Sequence, residues 1–301
     1  MGAAIRTEQL TKRYGSTTAL EALDLEIEEG EVFGYLGPNG AGKSTTIALL
    51  LGLIRPTSGG AQIFGLDVWR DAPAVHRRLA YVPSDSNLWP SLTGAEALRF
   101  LGAIHGTVDE AYRDELVSRY ELVVDKKIRA YSRGNRQKVL LVAAFASRAE
   151  LLLLDEPTSG LDPLMEQVFR ACVHEAHDRG QTVLLSSHIL SEVEALCDRV
   201  AMLRAGRIIE TGHLDVLRGL AALRVHAELD GPAPDAARFD TIEGVHHVAV
   251  DGSTVTCDVT GSMEPLLRVL ATAGVTRMTT HEPSLEELFV SHYGDVVGAE
   301  P

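Results

Sequence analysis

Long apolar runs are missing from this sequence of 301 residues. No stretch approaches the ~18 apolar residues that a membrane-crossing helix needs. The longest candidates, residues 139–146 and 151–154, have the lengths of a buried helix and a buried strand. The opening Met1-Gly2-Ala3-Ala4-Ile5-Arg6 lacks the apolar stretch of a secretory signal. The expectation is a chain that stays in the cytosol and meets a membrane only through a partner. Cysteine is scarce: Cys172, Cys197 and Cys257 lie far apart with no C-x-x-C pair. Neither a disulfide frame nor a thiolate metal site is expected. Positive charge is also short. Twenty-eight Lys and Arg against 42 Asp and Glu leave a net charge of −14, which argues against bulk attraction to nucleic acid or anionic lipid. No long internal repeat is present.

What the sequence does have is one organising stretch, Gly37-Pro38-Asn39-Gly40-Ala41-Gly42-Lys43-Ser44-Thr45, which fits G-x-x-x-x-G-K-[ST]. Residues 31–36 before it read as a buried strand, and residues 45–51 after it as the first turns of a helix. That strand–loop–helix setting is the one the motif requires. Glycines let the backbone wrap an anion so that successive N–H groups face it, and the helix N-terminus adds to the field. Lys43 would reach the β- and γ-phosphates of a nucleotide, and Ser44 would offer its hydroxyl to Mg²⁺. The motif occurs once.

Ahead of the loop, residues 5–30 read as two strands around a turn at Tyr14-Gly15-Ser16. Tyr14 either stacks on a flat ligand ring or packs at a sheet edge. Residues 61–64 and 79–82 are further strands, the second closed by Pro83 and followed by a polar loop at 84–87. From Thr93 to Ser147 the apolar spacing is helical, an all-helical insert (about residues 91–148) between two halves of a sheet.

Leu151-Leu152-Leu153-Leu154-Asp155-Glu156 describes a strand buried on both faces with carboxylates at its C-terminal end, where open α/β sheets bind ligands. Such acids are either solvated by a loop or need a metal or a donor, because an unpaired buried carboxylate costs several kcal/mol. With the phosphate loop in the same chain, a Mg²⁺ site is the economical reading. Asp155 would hold Mg²⁺ through water, and Glu156 would orient or deprotonate an attacking water. The next strand, residues 182–188, ends in His188, a helix-cap or surface residue or else a group facing the site. Residues 199–203 and 207–210 form a hairpin.

Composition changes near Gly219. Strands at 223–229, 245–250 and 253–259, helices near 236–238 and at 263–273, and a strand at 275–280 give a β-α-β-β-α-β order, with a last helix at 285–293. The expected domains are residues 1–218 and a small α+β accessory domain at 219–301, in which no motif carries chemistry.

Together these residues resemble the ATP-binding cassette of ABC transporters over residues 5 to about 218. The resemblance rests on the phosphate loop at 37–45, the carboxylate strand at 151–156, Ser159-Gly160-Leu161-Asp162 as the D-loop and His188 as the switch histidine. It implies a P-loop NTPase fold with a mixed sheet core and helical insert, ATP and Mg²⁺ as cofactors, Tyr14 against adenine and His188 against the γ-phosphate. It also implies a head-to-tail homodimer in which Asp162 bridges the copies and each signature segment closes the partner's ATP.

Two departures stand out. The signature reads Tyr131-Ser132-Arg133-Gly134-Asn135-Arg136-Gln137-Lys138 where the family's usual form begins LSGGQ, so Ser132 and Gly134 remain as phosphate contacts. Six basic residues between Lys126 and Lys138 form a solvated face or a nucleic-acid patch, and the overall charge disfavours the patch. Arg133 either adds charge to the site or crowds it. Ser84, followed by Asp85, stands where a glutamine normally touches Mg²⁺, and would do so through water.

With the segment Pro283-Ser284-Leu285-Glu286-Glu287-Leu288-Phe289, the chain is similar to ATPase subunits of ABC-2-type exporters of the daunorubicin- and tetronasin-like group. That implies ATP hydrolysis driving a separate integral-membrane permease, efflux of drugs or small hydrophobic compounds, and a peripheral place on the inner face of the cell membrane. The permease would meet loop 84–87 and the helical insert. The alternative is a non-transport or regulatory cassette with weak hydrolysis. Chromosome-organising relatives carry a long coiled coil, for which the gap between Lys43 and Asp155 leaves no room. Ribosomal factors carry two cassettes, and importers a β-rich tail.

Overall fold

Alternating apolar residues build the opening hairpin, β1 (Ala3–Tyr14) and β2 (Thr17–Glu28), paired antiparallel. Then comes β3 (Val32–Leu36), buried at every position, and α1 (Lys43–Leu50). The computed structural model describes residues 2–219 and 223–281, and the chain divides into two units, residues 1–212 and 213–301. In the first, β4 (Ser58–Ile63) and β5 (Leu66–Asp67) complete an antiparallel sheet in the order β2-β1-β4-β5. A short α2 (Ala72–His76) leads to β6 (Leu79–Val82).

The helical insert contains α3 (Gly94–His105), α4 (Glu110–Arg119) and α5 (Arg133–Ala146). Each begins at a polar cap. Thr93 and Glu96 form a reciprocal capping box, Asp109 accepts the Tyr112 N–H, and Ser132 accepts the Asn135 N–H. Then follow β7 (Leu151–Asp155), α6 (Pro163–Asp178), β8 (Thr182–Ser187), α7 (Leu190–Leu196), β9 (Arg199–Arg204) and β10 (Arg207–His213).

These strands make a six-stranded sheet, β10-β9-β3-β8-β7-β6, parallel from β9 through β6. The four leucines of β7 are fully buried, each stabilising the fold by about 1.5–3 kcal/mol, which fixes the strand ends against one another.

The second unit opens with α8 (Leu214–Gly219) and follows the βαββαβ order: β11 (Leu223–Leu229), α9 (Ala236–Asp240), β12 (Val245–Asp251), β13 (Thr254–Val259), α10 (Glu264–Thr272) and β14 (Val275–His281). Its sheet runs β12-β13-β11-β14, antiparallel throughout, over its own core of Val225, Phe239, Val255, Leu266 and Leu270. Gly252, at φ +60°, makes the Asp251-Gly252 turn. The helix expected at 285–293 lies outside the described residues. Among the described residues no helix is long and apolar enough to cross a membrane, and all three cysteines are free and buried.

Candidate functional site

Three neighbouring strands of the parallel sheet, β3, β8 and β7, end together. Leu36 pairs with Ser187, Tyr35 with Ser186, and Asp155 with Ser186. The residues that follow each strand are the loop at 37–45, His188 and Glu156. One register thus gathers the phosphate loop with two residues, Glu156 and His188, that lie more than a hundred positions further along the chain. Two backbone bonds reinforce it: Gly37 N–H donates to the Ser187 carbonyl at 3.3 Å and Glu156 N–H to the Ser186 carbonyl at 2.9 Å.

The loop needs its glycines. Gly42 has φ +112°, and a Cβ there would come within 2.8 Å of the Ala19 carbonyl oxygen, so no side chain fits between the loop and β2. Asn39 and Gly40 are exposed, Gly37 and Ala41 buried. Lys43 folds back over the loop: its Nζ donates to the carbonyls of Gly37 at 2.6 Å and Pro38 at 3.3 Å. The same Nζ is 3.7 Å from Glu156 Oε1, which also lies 3.2 Å from His188 Nδ1. Burial lowers the Lys43 pKa, and the charges of Glu156 and Asp155 work against that. A cation, a carboxylate and an imidazole therefore converge on one point.

Next to them, the Ser44 hydroxyl donates to Asp155 Oδ2 at 3.2 Å. The other oxygen, Oδ1, is buried with no hydrogen-bond partner among the described residues, and burial raises the Asp155 pKa. An unpartnered carboxylate oxygen beside a serine hydroxyl is the all-oxygen donor set that suits a hard divalent cation. Thr45 is half-buried beside Ser44. Glu156 itself has φ +47°, a left-handed conformation that costs a non-glycine residue on the order of 1–3 kcal/mol and concentrates at functional sites.

The remaining predicted residues lie elsewhere. Tyr14 is exposed at the end of β1, with Lys12 Nζ 4.9 Å from its ring centroid. Ser132 is exposed and caps α5. Gly134 packs so closely on the D-loop turn that a Cβ would stand 2.3 Å from the Gly160 carbonyl oxygen. Asp162 caps α6 through bonds from Leu164 N–H and Met165 N–H, both 3.1 Å. Ser84 has no hydrogen bond to Ser44 or Asp155 among the described residues. Its carbonyl instead accepts Arg133 Nη2 at 3.3 Å. The two departures from the family pattern, Ser84 and Arg133, thus touch each other.

Sequence reasoning passed over Gln137. Its buried amide donates to the Pro157 carbonyl at 3.2 Å and to the Pro83 carbonyl at 3.5 Å, joining α5 to the turns after β7 and β6. A polar residue at a buried position of an otherwise apolar helix face was the available signal.

Comparison with known proteins places the chain in a family. Residues 20–159 match the family model described as ABC transporter. The bacitracin transport ATP-binding protein BcrA of Bacillus licheniformis is 33% identical, covering 98% of each chain. The daunorubicin resistance ATP-binding protein DrrA3 of Streptomyces coeruleorubidus is 35% identical, covering 97% of this chain and 96% of its own. The solved structure of an ATP-binding subunit of an ABC transporter superposes with a TM-score of 0.68 at 32% identity, covering 71% of this chain and 92% of that one. With its motifs gathered at the strand ends as the phosphate chemistry requires, the chain belongs to the ABC transporter family, as one of its ATP-binding, ATP-hydrolysing subunits.

Proposed function

We propose that the chain couples ATP hydrolysis at the β3–β8–β7 strand ends to export through a separate membrane permease. The observation that carries the hydrolytic reading is Glu156 Oε1 held between Lys43 Nζ and His188 Nδ1. Lys43 and the loop amides of Gly37, Asn39, Gly40, Ala41, Gly42 and Thr45, with the Pro38 turn, hold the phosphates. Ser44 and Asp155 would hold Mg²⁺, which when bound neutralises charge on the β- and γ-phosphate oxygens. Glu156 orients the attacking water and takes its proton, and His188 donates toward the γ-phosphate oxygens. Positioning and charge neutralisation supply most of the acceleration.

Each site is completed by a second copy of the chain. Ser132 and Gly134, at the positive end of α5, would close the partner's nucleotide, Tyr14 would cover adenine, and Asp162 would bridge the copies. The exposure of Ser132 and Tyr14 supports this. The place of action is the inner face of the cell membrane, reached through the permease. The bacitracin and daunorubicin relatives support drugs or other small hydrophobic compounds as cargo, and the net charge of −14 supports a protein partner over nucleic acid.

A second reading, a regulatory cassette with weak hydrolysis, draws on Ser84 and Arg133, which bond to each other in place of a direct reach from loop 84–87 to the cation. ATP hydrolysis by the wild type and by Glu156→Gln separates the two. The energy-coupling reading predicts turnover in the wild type and a loss of about a hundredfold or more in the variant, with ATP affinity preserved. Equal, near-zero rates in both, with the permease present, would favour the regulatory one.

A further inference from the structure

Glu192, on α7, is a buried acid that the hydrolytic set does not use. It is 4% exposed, and its Oε1 has no hydrogen-bond partner among the described residues. Its Oε2 accepts the Ser187 hydroxyl at 2.5 Å. Burial raises the pKa of this carboxyl, and the hydroxyls of Ser187 and, after it, Thr158 work in the opposite direction. Burying such a group costs several kcal/mol unless it is paired, and an apolar residue would fill the position without that cost.

Ser187 is where the cost is recovered. Its carbonyl accepts the Gly37 N–H at 3.3 Å, and its hydroxyl accepts the Ile189 N–H at 3.0 Å. The second bond closes a serine turn around His188. Ser187 therefore joins the start of the phosphate loop to the turn that presents His188, and Glu192 holds the hydroxyl in that orientation. On the far side of the turn, His188 Nδ1 meets Glu156 Oε1 at 3.2 Å.

We propose that Glu192 is a positioning residue for hydrolysis, fixing His188 against Glu156 through the Ser187 hydroxyl. This deepens the proposed function and rests on it. The hydroxyl also lies 3.3 Å from the Ile189 carbonyl; without the carboxyl that longer, local bond is its remaining acceptor, and the turn loses its tie to α7. A shift of about 1 Å in a positioned group costs up to roughly a hundredfold in rate.

The test uses the full chain carrying Glu192→Gln, Glu192→Ala, Ser187→Ala, or the last two together. Glu192→Gln keeps an acceptor and should retain turnover. Glu192→Ala and Ser187→Ala should each lower kcat about ten- to a hundredfold with KM for ATP nearly unchanged. The double variant should be no slower than the worse single one, since both break one unit. The ring NMR signals of His188, identified by their loss in His188→Ala, should move in both alanine variants and stay in place in Glu192→Gln. Wild-type kcat in Glu192→Ala, multiplied losses in the double variant, or unmoved His188 signals would each overturn the proposal. If Glu192→Ala does not fold, Ser187→Ala, which removes one oxygen, carries the same readings. A wild type without turnover defeats the proposed function, and the His188 signals then decide the positioning on their own.

Discussion

At the scale of single residues, the site stores cost where chemistry is to happen. Asp155 is 2% exposed, with one oxygen bonded to Ser44 and the other to nothing among the described residues. Its raised pKa means the folded chain holds a proton there that the unfolded chain has already released. The unfolded state therefore binds fewer protons, and this residue's contribution to stability is full below the ordinary aspartate pKa. It is lost as pH rises through the raised value. Two outcomes follow for thermal melting. Asp155→Asn should raise Tm at neutral pH, by about 2–4 °C per kcal/mol regained in a chain of this size, while abolishing Mg²⁺-dependent hydrolysis. Mg²⁺ with ATP should raise the wild-type Tm and leave that of Asp155→Asn nearly unmoved. A lower Tm in the variant would mean that Asp155 is a structural acid. The roles expected for Glu156 and His188 are legible from the strand-end motif and the family resemblance; that the Glu156 carboxylate meets both Lys43 and His188 depends on the register of β3, β8 and β7.

At the scale of elements, legibility tracked how local the signal was. The buried run Leu151–Asp155 declares a strand without help, and Gly37–Lys43 declares its turn, since only glycine tolerates the contact at Gly42. The βαββαβ order of the second unit was readable from period-two strands and the Asp251-Gly252 turn. The helix α6 went unread, although Asp162-Pro163 is a cap and first-turn signal, and Met165, Phe169, Cys172, Val173 and Ala176 are its buried face.

What no periodicity contains is the contact between elements. The α5 N-terminus sits on the D-loop turn with Gly134 against the Gly160 carbonyl, and Arg133 reaches the Ser84 carbonyl. Gly134→Ala should therefore cost about 1–3 kcal/mol, read as a lower denaturation midpoint, and should reduce hydrolysis more than it reduces ATP affinity. An unchanged midpoint would mean that α5 has room to shift. Asp162→Ala should cost about 1 kcal/mol through loss of the α6 cap, visible in the same melts before any effect on pairing of copies is considered.

At the scale of the whole molecule, each unit has its own apolar core, and the phosphate chemistry belongs to the first. In one copy the Lys43, Glu156 and His188 cluster is assembled, while Ser132, exposed at the head of α5, caps its own helix; under the proposed function a second copy completes the site. ATP should supply the missing link by drawing two copies together, and hydrolysis should release them. The most direct measurement is the solution mass of Glu156→Gln, by light scattering, with and without ATP and Mg²⁺. The account predicts a monomer without nucleotide, a stable dimer with ATP and Mg²⁺, and no dimer when Lys43→Ala is added. A Glu156→Gln chain that binds ATP and stays monomeric at saturation would contradict it.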